Sequence, residues 1–388
     1  MPQPPGPSGR ALPALPIALI SVLFLFGADA MVGQLSRNGY FGFAASVLED
    51  GLVLPGSNRS ILRRYVGLSA VDGFLTSANV FWANVVDGSR PELSLFTFFF
   101  GSQLAAFFLV FMIESQRVAK WSPVLFNPLL WGFAMQALGY GIAAPFFFVL
   151  HLIVTSKFSL SETVRLRDPT RLHTVVPAFM AGYVLLCCFL AYPFSHSYVR
   201  QWANVVWQTF PLHVLVWQAL FTGVVKRTSL GQDAFTAGAQ LDRTALSHAY
   251  GFAWNVAVTG QLCTVAVLIT SAVLPGLYPA GVARSLTLEN VFIPRPPHSS
   301  APMISPAAAV HDFFIYDLLV GSAVTLIWAV HLLSQVRPVL STSEERANLA
   351  RGVLTSLVLS GPGGAVVAFL QHRDETVLAA ELKADKSK

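Results

Sequence analysis

The chain has 388 residues, of which 54% are hydrophobic and 12% charged, and its mean hydropathy is +0.58. Soluble globular proteins carry about 25% charged residues, so the composition favours an integral membrane protein. The apolar runs are long and continuous, which excludes the short alternating segments of a β-barrel. The net charge of +5 lies on the connections between these runs, where it reports membrane orientation and not a nucleic-acid surface.

Nine apolar stretches predict an all-α integral membrane protein, a bundle of eight transmembrane helices with a ninth, interrupted segment, since about 20 apolar residues cross a bilayer. The first is read as an anchor and not a cleaved signal. A single domain is expected over residues 1–388, with an N-terminal tail at 1–10 and a charged, solvated C-terminal tail at 372–388. The predicted spans are residues 12–28, 66–87, 93–113, 129–154, 175–194, 205–225, 250–274, 308–333 and 353–370.

The second stretch, residues 66–87, carries polar groups in an apolar setting. Ser69, Asp72, Thr76 and Asn79 follow one another at steps of three, four and three, which places them on one face of a helix. A carboxylate in the hydrocarbon region costs at least ~2.5–3.5 kcal/mol, so Asp72 is expected to face the bundle interior. It is a candidate catalytic acid, and the alternative is a structural aspartate bonded to a neighbouring helix.

The eighth stretch contains two further acids. Asp312 and Tyr316 lie four residues apart and share a helix face, while Asp317 points about a third of a turn away. The structural alternative for Asp312 is a helix-start residue favoured by the helix dipole. Asp317 lies deeper in the span and is the second candidate acid.

The sequence holds no Gly-rich phosphate loop, no Asp-rich diphosphate motif and no histidine cluster, so we expect neither a metal nor a cofactor. A carboxylic acid kept neutral by apolar surroundings can protonate an epoxide or an alkene, and aromatic faces can stabilise the resulting carbocation. The substrate would be a lipophilic prenylated molecule that enters from the bilayer. The expected substrate-binding residues, with interfacial placement as the alternative for His151, are Asn79, Trp82, Tyr140, His151, Trp254 and Tyr316.

The orientation of the protein in the membrane follows from the charges of its later connections. The connections at residues 156–172, 226–248 and 334–352 are richer in Lys and Arg than the connections that alternate with them. The positive-inside rule places them, and the N-terminus, in the cytosol. Residues 31–64 would then face the lumen of the endoplasmic reticulum, although they carry several Arg. They also contain Asn58-Arg-Ser60, a glycosylation sequon that requires a luminal position.

The order of these features resembles the membrane-bound terpene cyclases of fungal meroterpenoid pathways, of the ascofuranone and macrophorin type. The resemblance rests on AVDGFLTSANVFWANVVDG in the second stretch, IESQR after the third, FFIYD with Trp328 in the eighth, and GPGG in the last. It covers most of the chain from about residue 40. It implies metal-independent cyclisation of a farnesyl or other prenyl chain on an aromatic partner, initiated by acids in the helices, in secondary metabolism. Asp72 and Asp317 fall within the matching motifs.

Two other classes of function fit the same inventory of residues. A multi-span carrier for a lipophilic metabolite would also hold intramembrane acids, but it would act only across a sealed membrane. A non-catalytic scaffold for a biosynthetic complex would tolerate the loss of every intramembrane acid.

Overall fold

The computed structural model describes residues 12–50, 54, 60–118, 125–227, 238–337 and 341–387. Their regular structure is helical, with one isolated bridge between Arg117 and Leu166. Short helical turns lie at Thr170–His173, Pro275–Leu277, Val282–Ser285 and Leu288–Phe292. The main helices are α1 (Ala14–Arg37, with a π-helical turn at Asp29–Gly33), α2 (Tyr40–Asp50), α3 (Ser69–Phe81), α4 (Pro91–Ser115), α5 (Pro128–Leu138), α6 (Tyr140–Thr155), α7 (Val175–Ala191, with a π-helical turn at Met180–Val184), α8 (Ser197–Gln208), α9 (Phe210–Lys226), α10 (Ala239–Val273), α11 (Pro306–Ser334) and α12 (Ser343–Lys386).

Five of these helices, α1, α4, α10, α11 and α12, are long and apolar enough to cross a membrane. Four shorter apolar helices, α5, α6, α7 and α9, lie among them. The predicted all-α architecture is therefore confirmed for the described residues, and several of its helices could span a membrane. The predicted count of eight or nine spans is not confirmed.

The second predicted span is shorter than its sequence suggested. Only α3 within residues 66–87 is helical, and its 13 residues reach ~20 Å, short of the ~30 Å hydrocarbon core. Asp72, Thr76 and Asn79 are buried on one face as predicted, whereas Ser69 is exposed. The polar stripe is real, but the full crossing over residues 66–87 is not confirmed.

The fourth predicted span, residues 129–154, is two helices and not one. The break lies at Gly139, whose φ of 90° favours glycine. Trp131 of α5 packs against Phe147 at the middle of α6, so the two helices fold back on each other. Residues 116–118 accordingly bond to residues 165–167, and the connections before and after this pair meet at one end of the bundle.

The last two differences concern residues 205–225 and the C-terminal segment. The sixth predicted stretch is divided between α8 and α9 at Thr209. The Gly-Pro-Gly-Gly segment interrupts α12 as predicted: Gly361 has a non-helical φ of 69°, and the side chain of Gln103 accepts a hydrogen bond from the Gly363 N–H at 2.9 Å. The predicted solvated tail at 372–388 is wrong in part, because α12 continues through it and buries both Arg373 and Asp374.

The centre of the bundle is a column of aromatic rings between α4, α6 and α11. Phe111 packs on Phe147 with ring centroids 4.4 Å apart, and Phe148 packs on Trp328 at the same separation. At the other end of the column the ring of Tyr140 stacks on Phe107 at 4.5 Å. Polar groups lie at both ends of this column, and they define the candidate sites.

We predict that residues 31–64 and 156–172 lie on opposite sides of the membrane, from the charge asymmetry of the loops. Single cysteines at Ser60 and Lys157, both exposed, would be introduced into a variant without Cys187, Cys188 and Cys263. In sealed microsomes an impermeant thiol reagent should label Lys157→Cys, and Ser60→Cys only after permeabilisation. Labelling of both from the same side would contradict this orientation.

Candidate active site

Asp317 is buried in α11 among neutral groups. Its Oδ1 accepts a hydrogen bond from the Gly141 N–H, at the start of α6, at 2.5 Å. It is 3% exposed, and the described residues contain no ion pair to it. A carboxyl group that is oriented by a backbone N–H but left without a counter-ion has the surroundings expected of a proton donor.

Three glycines allow the close approach of α6 to α11 at this point. A Cβ on Gly139 or Gly141 would lie 2.8 Å and 3.2 Å from the Asp317 Oδ1, and one on Gly321 would lie 2.2 Å from the ring of Tyr140. The space left by Gly321 is therefore filled by Tyr140, whose hydroxyl is 2.6 Å from that of Thr325. Tyr140 and Asp317 therefore lie at the same contact between α6 and α11.

Asp72 has a different environment, because it holds a loop. Its carboxylate accepts backbone hydrogen bonds from Val66 at 2.8 Å, Tyr65 at 2.9 Å and Gly67 at 3.0 Å. These donors, with Val66 first, hold the pKa of Asp72 below its usual value. The geometry suits a permanently ionised carboxylate that fixes residues 65–67 against α3, rather than a proton donor.

Asn79 belongs to a line of buried amides between α3 and α8. Its Nδ2 donates to the hydroxyl of Tyr65 at 2.9 Å, and its Oδ1 accepts from Asn204 at 3.1 Å. Gln208 donates in turn to the Asn204 Oδ1 at 3.2 Å. Burial raises the pKa of Tyr65 to about 12, so its hydroxyl stays protonated at neutral pH.

Trp82 extends this region as an aromatic cluster. Its ring lies 4.5 Å from that of Trp207 and 5.2 Å from that of Phe314. Phe313 packs on Phe81 at 5.2 Å and also borders the apolar group around Tyr316. The cluster therefore reaches the turn of α11 that precedes Asp317. Trp254, in contrast, is 40% exposed on the outer face of α10, apart from these residues.

Asp312 and Tyr316 both hold a segment that we call the strap, residues 293–303. The backbone N–H and Nε of Arg295 donate to Asp312 at 3.0 and 2.6 Å, and the Tyr316 hydroxyl donates to the Arg295 carbonyl at 2.6 Å. The shared face predicted for Asp312 and Tyr316 is therefore used to fasten the strap over the start of α11.

The predicted glycosylation site Asn58 lies outside the described residues.

A second buried polar group, the charge cluster, lies at the opposite end of the aromatic column. Glu114 accepts two hydrogen bonds from Arg117, at 2.9 and 3.1 Å, and one from His151 at 2.9 Å. Asp374 accepts from Arg117 at 2.7 Å. These side chains are at most 2% exposed. The charge cluster comprises Glu114, Arg117, His151, Tyr250, Arg373 and Asp374.

His151 is thus fully buried inside the protein. Trp328 Nε1 donates to its Nδ1 at 3.1 Å, which leaves Nε2 to donate to Glu114. The other members of the charge cluster were not predicted, because they come from the end of α4 and from the interiors of α10 and α12, which are far apart in the sequence. The available signals were Glu114 and Arg117 at a spacing of three residues within IESQR, and the adjacent Arg373-Asp374 pair.

No group of three or more His, Cys, Asp or Glu side chains that could hold a metal ion occurs in the part of the chain that the structure describes. The metal-independent reaction stays a prediction.

Comparison with known proteins identifies the family. The chain is 26% identical to the terpene cyclase ascI of Acremonium egyptiacum over 92% of this chain and 91% of that protein. It is 25% identical to the terpene cyclase ctvD of Aspergillus terreus, over 93% and 99%, and 23% identical to the terpene cyclase atmA of Aspergillus flavus, over 87% and 90%. No solved structure matches. The family model of the CtvD domain matches residues 17–378, and the chain therefore belongs to the CtvD-domain family, which confirms the resemblance found in its motifs.

Proposed function

We propose that the protein is a membrane-bound terpene cyclase that protonates an epoxide or alkene of a farnesylated or otherwise prenylated aromatic intermediate and so starts its cyclisation. The reaction would belong to meroterpenoid biosynthesis, and the membrane would be that of the endoplasmic reticulum. The names of the relatives and the family membership support the cyclase activity. Several apolar helices support the membrane location.

The observation that carries the mechanism is the isolation of Asp317 from any cation in the described residues. Burial without a counter-ion favours the neutral acid form of a carboxyl group. Asp312 is ion-paired and Asp72 is held by three backbone donors. Of the three candidate acids, Asp317 is therefore the one best suited to give up a proton.

One carboxyl group, that of Asp317, supplies the proton at the start of this reaction and regains one at the end. Asp317 transfers its proton to the epoxide oxygen or alkene carbon, and a carbon–carbon double bond of the same chain attacks the resulting cationic centre to form a ring. The Gly141 N–H stabilises the carboxylate left behind. The final carbocation loses a proton, which restores Asp317, so that substrate and product have the same formula.

The aromatic side chains around Asp317 would stabilise the intermediate cations. Tyr140 lies beside the Gly141 donor, and Phe313 and Phe314 precede Asp317 by about one turn of α11. Their ring faces attract a cation, and burial excludes water that would otherwise capture it. Trp82 extends the same surface through its contact with Phe314.

The proposal is tested by incubating microsomes that contain the protein with farnesylated phenols and their terminal epoxides. We expect conversion of one of them to a cyclic isomer of unchanged mass. The control is the same membrane without the protein. If every substrate of this class is recovered unchanged while the protein is present and folded, the proposed activity is wrong.

We also predict that the activity persists in the presence of EDTA, because the sequence has no diphosphate-binding acidic motif and the described residues offer no ligand cluster. The rate of isomerisation would be compared in membranes with and without the chelator. Loss of activity that added Mg²⁺ or Zn²⁺ restores would contradict the acid mechanism.

A further inference from the structure

Two buried nitrogen donors near the strap have no acceptor. They are the Nδ2 of Asn38 and the Nη2 of Arg295. Asn38 is 3% exposed, and its Oδ1 accepts from the Tyr40 N–H at 3.0 Å, which fixes the orientation of the amide. Buried donors are normally paired, and an unpaired one in a native protein is a candidate ligand contact.

The two donors flank the same short piece of the strap. The carbonyl of Asn38 accepts from the Met303 N–H at 3.0 Å, and the Nη1 of Arg295 donates to the carbonyl of the adjacent Pro302 at 3.4 Å. The two unpaired donors therefore belong to residues that both hold residues 302 and 303 of the strap.

The charges around Arg295 favour an uncharged ligand group over a charged one. Asp312 already forms an ion pair with Arg295 at 2.6 Å, so the guanidinium offers hydrogen-bond donors but little net charge. A carboxylate would have to lose its hydration without gaining an unpaired cation. A carbonyl oxygen, which accepts two hydrogen bonds and carries no charge, fits both requirements.

We propose that Asn38 and Arg295 bind a neutral carbonyl oxygen on the aromatic head group of the prenylated substrate. This inference rests on the proposed cyclase function and adds the part of the substrate that is recognised. The Arg295 carbonyl is bonded to Tyr316, the residue before Asp317. A head group held at the strap would therefore be anchored next to the turn of α11 that carries the candidate acid, within the length of a prenyl chain.

The test measures binding of two probes to the full-length protein in detergent, farnesylated benzaldehyde and farnesylbenzene, which lacks the oxygen. Asn38→Asp keeps the acceptor for Tyr40 and removes the donor, and Arg295→Lys keeps the charge opposite Asp312 and removes Nη2. Each variant should raise the Kd of the aldehyde about tenfold, the effect of one lost hydrogen bond. The Kd of farnesylbenzene should not change. His298→Gln, in an exposed part of the strap, is the control and should bind both probes like the wild type.

Binding and turnover are read separately, so that the two proposals can fail independently. If the variants weaken both probes equally, or neither, the donors serve the fold or bind water and the head-group site is refuted. Tighter binding of farnesylated benzoic acid than of the aldehyde would refute the choice of a neutral group. If the aldehyde binds as described but no substrate is cyclised, the site stands as described and the proposed activity fails.

Discussion

Asp317→Asn is expected to lower the rate of isomerisation 10²–10⁴-fold, the usual contribution of a positioned general acid. The substitution preserves the size of the side chain, and the Asn oxygen can still accept the hydrogen bond from Gly141. It removes only the acidic proton. The rate would be measured on membranes that contain equal amounts of folded protein.

Asp72→Asn and Asp312→Asn are the matched controls, because both acids come from the same set of predicted candidates. Asp72 fixes a loop and Asp312 fastens the strap, so each variant should affect stability more than the chemical step. If Asp317→Asn keeps near-full turnover, Asp317 is not the acid. If Asp72→Asn alone abolishes turnover in folded protein, the acid is on α3.

Arg117→Leu is expected to destabilise the fold by about 3–5 kcal/mol, the effect of breaking a buried ion pair by removing one partner. Arg117 joins Glu114 to Asp374 and also donates to the carbonyl of Val164. Without it, two buried carboxylates lose their closest cation. The fraction of monodisperse protein that survives heating in detergent would measure the loss.

Arg171→Leu is the control for this substitution. Arg171 lies on a neighbouring connection and pairs with Asp168 at 3.5 Å, and the two side chains are 52% and 23% exposed. Exposed pairs typically contribute about 0–1 kcal/mol, so this variant should keep nearly the thermal stability of the wild type. Equal stability of Arg117→Leu and the wild type would show that the charge cluster is not needed to hold the helices together.

The sequence predicts those features of the fold that depend on local composition. Apolar length identifies α4 and α11 almost to the residue, because each is continuous and starts with a proline at a tolerated position. The same criterion fails at residues 129–154, where apolar length cannot distinguish one crossing from two helices that reverse at Gly139. Helices that end within the bundle have the same composition as those that cross it.

The candidate site was predictable as a set of residues but not as an arrangement. Helical spacing correctly grouped Asp72 with Asn79 and Asp312 with Tyr316. Asp72 is held by backbone donors in residues 65–67, which lie outside regular helices. Asp317 contacts the start of α6, which is distant from α11 in the sequence. Spacing within one helix predicts neither contact. The charge cluster was missed for the same reason, since Arg117 and Asp374 are brought together only by the packing of α4 and α12.

Purified protein in detergent micelles separates chemical conversion of the substrate from transport and from scaffolding. Micelles have no second compartment, so a carrier has nothing to transport, and a scaffold has no partner enzymes. We expect wild-type protein to convert a prenylated phenol or its epoxide to a cyclic isomer of the same mass, and Asp317→Asn to leave it unchanged. Unchanged substrate in micelles with the wild-type protein, together with uptake of the same compound into sealed vesicles that contain the protein, would refute the cyclase activity and establish a carrier.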